Sequence, residues 1–414
     1  MKYILIIGDG MADNPVAELN GKTPLEHANI PCMDGLSKNG VLGSTVNCPE
    51  GLPPGSDTAI LSIFGQDPRV CYTGRSPLEA AATGIALHPG DISYRCNMVA
   101  LEDCDKPYRE KKILSHPGGS IDGESSIALI SYLFSHPEFA ALAEKAGMKV
   151  YPAPSFRHIA VQSGANNTGI KLIPPHDHLG EVIGGLMPSG CKNAAVLQEL
   201  MEVSHKILDD HPINISRREK GMLPANGIWF WAEGSAVMLK NFKETYGHFG
   251  TVISAVPLCQ GIAALTGLDF VEVEGATGEL ETNYEGKVEA ALAALRQPGH
   301  DFVAIHLEAP DECTHNGDLP GKLQAIEWLD SRIIAPVVNA LKEAGEDFRI
   351  LILSDHKTLT STRGHDGDPV PFILYDSREV DCSGYTYSEE NGLKGPMISA
   401  GTALMGLLFE EEKI

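Results

Sequence analysis

Six side chains with metal-ligand chemistry, Asp9, Asp311, His315, Asp355, His356 and His365, sit at or just after short apolar runs. Carboxylate oxygens and imidazole nitrogens suit Mn, Zn or Mg, with Mn and Zn favoured where imidazole contributes. Asp311-x-x-x-His315 puts two ligands on one side of a turn, and the adjacent Asp355-His356 pair can point to opposite sides of a loop. One ion or two could be served. A lone Asp or His in a loop is usually solvated or caps a helix; six gathered at three run ends point instead to a metal centre.

A second signal is Pro53-Pro54-Gly55-Ser56-Asp57-Thr58-Ala59. Two prolines and a glycine before Ser-Asp read as a tight loop entering a helix, with Ser56 at the N-cap and its hydroxyl accepting from the backbone. The same placement also serves catalysis. A helix N-terminus and a metal ion together lower a serine's pKa and hold a phosphoryl group against backbone amides.

The elements that must position these residues are legible as apolar runs. Tyr3 to Ile7, Phe302 to Leu307 and Phe348 to Leu353 read as strands buried on both faces of a parallel sheet. Each ends in acids or histidines, at the sheet edge where open α/β sheets gather ligands. Helical patterns at Tyr284 to Leu295 and Lys322 to Ala340 alternate with them, so 1–85 and 246–414 are expected to form one α/β domain. The stretch 86–245 is richer in Pro, Gly and His, with an alternating run at Phe156 to Val161 and a helix from Asn193 to Asp209. It reads as an inserted, smaller α+β domain.

Composition excludes several classes. A chain of 414 residues with 43% hydrophobic content can bury a large core, and a net charge of -23 argues against nucleic acid, which Lys and Arg must hold. The opening MKYILIIGDG has an apolar run too short for a signal peptide, and no stretch approaches the roughly 18 residues that cross a bilayer. Nine cysteines without CxxC pairs point to free thiols in the cytoplasm. No membrane partner is expected.

In order and spacing, GDGMAD, PPGSDTA, YTGRSPLEA, YRCNMVALE, EGATGELETNYEGK, EAPDECTHNGD, SDHKTLTS and GHDGDPVPF resemble the archaeal-type cofactor-independent phosphoglycerate mutases of the alkaline phosphatase superfamily. The resemblance covers nearly the whole chain. It implies an alkaline-phosphatase-like, mostly parallel sheet flanked by helices, with the inserted domain covering a metal site and holding substrate. It implies that Ser56 is transiently phosphorylated while 3-phosphoglycerate and 2-phosphoglycerate interconvert, without 2,3-bisphosphoglycerate. One of two divalent ions would be held by Asp9, Ser56, Asp355 and His356, the other by Asp311, His315 and His365.

A small phosphorylated substrate needs cations, and bidentate arginine is the natural choice. The candidates are Arg75, Arg95, Arg157, Arg217 and Arg218, with His158 and Lys287 as weaker ones. The chain departs from the mutases at SHPGGSIDGES, Ser115 to Ser125, where they carry an arginine, and at IWFWAEG, Ile228 to Gly234, where they tend to. It resembles the branch proposed as homoserine kinase at least as well. A metal-dependent phosphatase and a non-catalytic binding protein are the remaining alternatives.

Overall fold

A computed structural model describes residues 1–379 and 382–409. The chain forms two compact units, one of Met1–Tyr72 with the chain from Met238 onward, the other Thr73–Val237.

The first unit is built on an eight-stranded sheet, in the order Met397–Ile398, Val41–Thr45, Val370–Asp376, Phe348–Leu353, Lys2–Gly8, Phe302–Leu307, Gly250–Ile253, Asp269–Val271. The last five run parallel, and Val370–Asp376 is antiparallel to both neighbours. The three expected strands lie side by side at its centre, with Ile7 opposite both His306 and Leu353. Asp9, Glu308 and Ser354 therefore leave the sheet at one edge. Buried Ile4, Ile6, Val303, Ile305, Ile350 and Ile352 pack under helices carrying Val288, Ala291, Ile326, Ile333 and Val337. Strands covered on both faces read as unbroken apolar runs for this reason.

The expected helix from Lys322 to Ala340 is three pieces: Leu319–Trp328, a π-helical turn Leu329–Ile334, and Ala335–Glu343. Pro336 lacks an amide hydrogen, and the wider turn before it accommodates that loss. The turn also aims buried Asp330 at the start of the helix Pro31–Asn39, where it accepts from the amides of Cys32 (3.1 Å) and Met33 (2.6 Å).

The second unit is an α+β sandwich of its own. Asp91–Leu101 pairs antiparallel with Arg157–Ser163, Gly227–Ser235 and Ile113–Ser115, and Met148–Tyr151 extends the sheet. Leu129, Leu133, Leu197, Leu200 and Met201 from its helices bury Met98, Phe230 and Trp229. Its first helix, Ser76–Ala82, belongs here rather than before the boundary near 86, because Ala80 and Ile85 pack on Ile159 and Val161. The segment after Val237 belongs to the first unit, where Phe242 stacks on Phe302 with centroids 5.0 Å apart.

Among the described residues no helix is long and apolar enough to cross a membrane. All nine cysteines are free.

Candidate metal centre and nucleophile

The loop after Lys2–Gly8 carries Asp9 and turns sharply at Gly10. Gly10 has a φ of +59°, and a Cβ there would lie 2.3 Å from Thr358 Oγ1 and 2.8 Å from Asp311 Oδ1. Only glycine fits both the left-handed backbone and the space. Asp311 and His315 lie one helical turn apart on Ala309–His315, on one face. His365 sits opposite Thr358 in the hairpin of Lys357–Leu359 and Gly364–Asp366.

Ser56 is the first residue of the helix Ser56–Ile63, and the cap position falls on Gly55, one residue earlier than expected. Its hydroxyl is thus free of the helix amides. Ser56 Oγ lies 3.2 Å from Asp9 Oδ2 and 3.2 Å from His356 Nε2.

Two ligand groups converge beside it: Asp311, His315 and His365, and Asp9, Asp311 and His356, with Asp311 common to both. His315 Nε2 is 2.9 Å from His365 Nε2 and 3.1 Å from Asp311 Oδ2, and His365 Nε2 is 3.4 Å from Asp311 Oδ1. His315 Nδ1 donates to the Arg363 carbonyl at 2.8 Å. In the neutral ring that bond leaves the Nε2 lone pair facing the group, as in metal-ligating histidines. Two ring nitrogens nose to nose need a proton or a cation between them.

The electrostatics point the same way. Burial, then the carboxylates of Asp355, Asp311 and Glu308, push Asp9 well above the usual carboxylate range. Against the cost of its own burial, hydrogen bonds from His315, His365 and Thr358 hold Asp311 well below that range, and the same contact with Asp311 raises His315 to about 9. Asp355 Oδ1 accepts from the amides of Gly10 and His356, while its buried Oδ2 accepts no hydrogen bond. A buried carboxylate oxygen without a hydrogen bond, 3.3 Å from His356 Nε2 and close to other acids, is costly unless a proton or a cation compensates it. The donor set fits divalent ions.

Nothing in the local sequence marks the residues behind these candidate ligands. Thr358 Oγ1 donates to Asp311 Oδ1 at 2.6 Å. The fully buried Lys322 donates to Asp13 Oδ2 (2.8 Å) and to the Thr358 carbonyl (2.6 Å). His306 Nε2 lies 3.0 Å from Asp9 Oδ2.

The candidate arginines divide. Within the second unit, Arg75 Nε is 3.4 Å from Glu79 Oε1, and Arg95 pairs with Glu79 through two nitrogens, Nε at 2.9 Å. The guanidinium carbons of Arg95 and Arg157 lie 4.7 and 5.4 Å from the Trp231 ring centroid. Burial, then Arg95 and Arg75, push Arg157 down to about 10, and its buried Nε has no acceptor. Three guanidinium groups around one carboxylate leave an excess of positive charge suited to an anion. Arg217 instead donates to the carbonyls of Leu223, Gly118 and Gly119, and Arg218 pairs with Asp103 and Asp209. His158 and Lys287 are both buried, His158 beside Ser126 and the Ala153 amide, Lys287 on the His306 carbonyl.

Comparison with known proteins adds a consistent set. The profile of the 2,3-bisphosphoglycerate-independent phosphoglycerate mutases matches residues 37–214. A 2,3-bisphosphoglycerate-independent phosphoglycerate mutase of Methanosarcina acetivorans is 42% identical over 99% of this chain and all of its own. A probable enzyme of the same name from Geobacter sulfurreducens is 42% identical over 99% of this chain and its own full length. Among solved structures, a Pyrococcus horikoshii protein superposes with a TM-score of 0.78 at 29% identity, covering 100% of this chain and 99% of its own. The cofactor-independent phosphoglycerate mutase of Thermoplasma acidophilum superposes with a TM-score of 0.64 at 25% identity, covering 99% of each chain.

Proposed function

This chain belongs to the 2,3-bisphosphoglycerate-independent phosphoglycerate mutases, and from that premise we propose that it moves the phosphoryl group of 3-phosphoglycerate to the 2-oxygen through phosphoserine at Ser56. The observation that carries the reading is Ser56 Oγ, free of helix amides, facing Asp9 and His356 within a cluster of acids and imidazoles short of positive charge.

Asp311, His315 and His365 would hold one divalent ion, and Asp9, Asp355 and His356 the other with Ser56. Bound there, such ions favour the serine alkoxide and neutralise charge on the transferring phosphoryl group. Ser56 Oγ attacks phosphorus as the bond to the 3-oxygen breaks; the proton lost by Ser56 ends on that oxygen, leaving glycerate beside phosphoserine. The 2-hydroxyl then attacks the same phosphorus, Ser56 leaves and recovers a proton, and 2-phosphoglycerate results. The helix behind Ser56 directs its N-terminal dipole at the anion throughout. Positioning and electrostatics supply most of the rate. For the anionic groups of the substrate we assign Arg75, Arg95 and Arg157, the arginines that crowd one carboxylate.

The test is turnover of 3-phosphoglycerate by Mn-loaded protein in an enolase-coupled assay, beside Ser56→Ala. Turnover that the alanine variant lacks supports the mutase reading. A fully metallated protein that turns over no phosphoglycerate but phosphorylates homoserine would replace it with the kinase reading.

A further inference from the structure

Asp9 is gripped from outside the ligand set. The parallel register sets His306 beside the end of the first strand, opposite Ile7, and its Nε2 lies 3.0 Å from Asp9 Oδ2. The other ring nitrogen, Nδ1, is 3.1 Å from Ser254 Oγ, just past the next strand, and that oxygen also accepts the Val256 amide at 3.0 Å. Lys287 Nζ donates to the His306 carbonyl at 3.0 Å, tying down its backbone. His306 and Ser254 are 2% and 3% exposed, so water does not compete for these bonds.

In the neutral tautomer with its hydrogen on Nε2, the Ser254 hydroxyl donates to Nδ1. In the charged ring both nitrogens carry one, and Ser254 Oγ accepts at Nδ1. In both of these forms Nε2 donates to Asp9 Oδ2, 3.0 Å away. Asp9 Oδ1 is the oxygen turned to His356, 3.6 Å from its Nε2.

We propose that His306, braced by Ser254, is the positioning residue for Asp9, fixing the plane of its carboxylate so that it meets the cation and Ser56 in one orientation. The role rests on the proposed reading of Asp9 as a metal ligand. Partners that orient ligating carboxylates typically contribute about 10–100-fold to metal affinity. Without the imidazole donor the carboxylate keeps its contact with Ser56 Oγ but is held less firmly about its own bond, among acids that repel it.

The test titrates Mn2+ by calorimetry into the metal-stripped full-length protein and into His306→Phe, His306→Gln and Ser254→Ala. The glutamine amide keeps a donor near the Nε2 position; phenylalanine keeps only the ring. The expected result is one Mn2+ binding step weakened about 10–100-fold in His306→Phe, restored to within a few-fold of the parent in His306→Gln, and intermediate in Ser254→Ala. At saturating Mn2+ kcat should fall in His306→Phe with little change in KM for 3-phosphoglycerate.

Parental Mn2+ binding in folded His306→Phe overturns the role, as does weakening that glutamine does not relieve. If His306→Phe does not fold, Ser254→Ala decides: weakened binding supports the role and parental binding overturns it. A parent that binds no Mn2+ removes the metal centre itself and this role with it. A parent that binds Mn2+ beside variants that bind it equally well removes only the role of His306.

Discussion

His158 shows how one buried side chain writes a pH dependence into the whole chain. It is fully buried in the second unit, its Nδ1 accepting from the Ala153 amide and its Nε2 paired with Ser126 Oγ, and burial pushes it down to about 4 from 6.5. The folded state thus binds this proton less readily than the unfolded chain. Stability from His158 is present above pH 6.5 and is lost as pH falls through 4. The full loss is about 3 kcal/mol. Urea titrations of wild type and His158→Gln between pH 7 and 4 should give a stability difference that changes by that order; a difference flat in pH would remove the assignment. At this scale the candidate ligands were legible, because Asp9, Asp311 and Asp355 follow apolar runs and the last two bring histidines with them. Their supports were not. His306 inside FVAIHL looks like any core histidine, and only the pairing of two strands distant in the chain gives it Asp9 as a partner. Thr358 and Lys322 escaped for the same reason: their meaning lies in contacts to Asp311 and Asp13 that no local spacing encodes.

At the scale of elements, the central strands were readable because burial on both faces requires unbroken apolar sequence, and the helix Tyr284–Leu295 was read to its ends. The π-helical turn at Leu329–Ile334 was not, since one helical periodicity runs through it and its cause is partly tertiary. That turn delivers Asp330 to the start of Pro31–Asn39, a helix whose own N-cap, Ile30, has no side-chain oxygen to offer. Asp330→Ala leaves two amides without their acceptor and should lower unfolding stability by about 1–3 kcal/mol. Asp330→Asn, which keeps one acceptor oxygen, should lose less. Equal stability of the alanine variant and wild type in urea titration would contradict the capping role.

For the whole molecule, the sequence separated a strand-and-helix domain from an inserted one but set its edges at 86 and 245 rather than 73 and 237. Those edges are decided by which core a segment enters, Ala80 and Ile85 entering one and Phe242 the other, and composition is blind to that. Thr73 Oγ1 donates to the Ser235 carbonyl at 2.7 Å, so the two ends of the second unit lie together. A unit with its own core and adjacent ends is expected to fold alone. Residues 73–237 expressed by themselves should unfold cooperatively and show the near-ultraviolet signal of buried Trp229 and Trp231; a chain lacking both would contradict autonomy. For the assembled enzyme we propose transfer through one atom, Ser56 Oγ. The most direct test is mass-spectrometric mapping of phosphate on Mn-loaded protein quenched in acid during turnover of 3-phosphoglycerate. Phosphate is expected on the peptide containing Ser56, absent without substrate and absent from Ser56→Ala together with turnover. Undiminished turnover in Ser56→Ala, or phosphate carried on another residue, would contradict it.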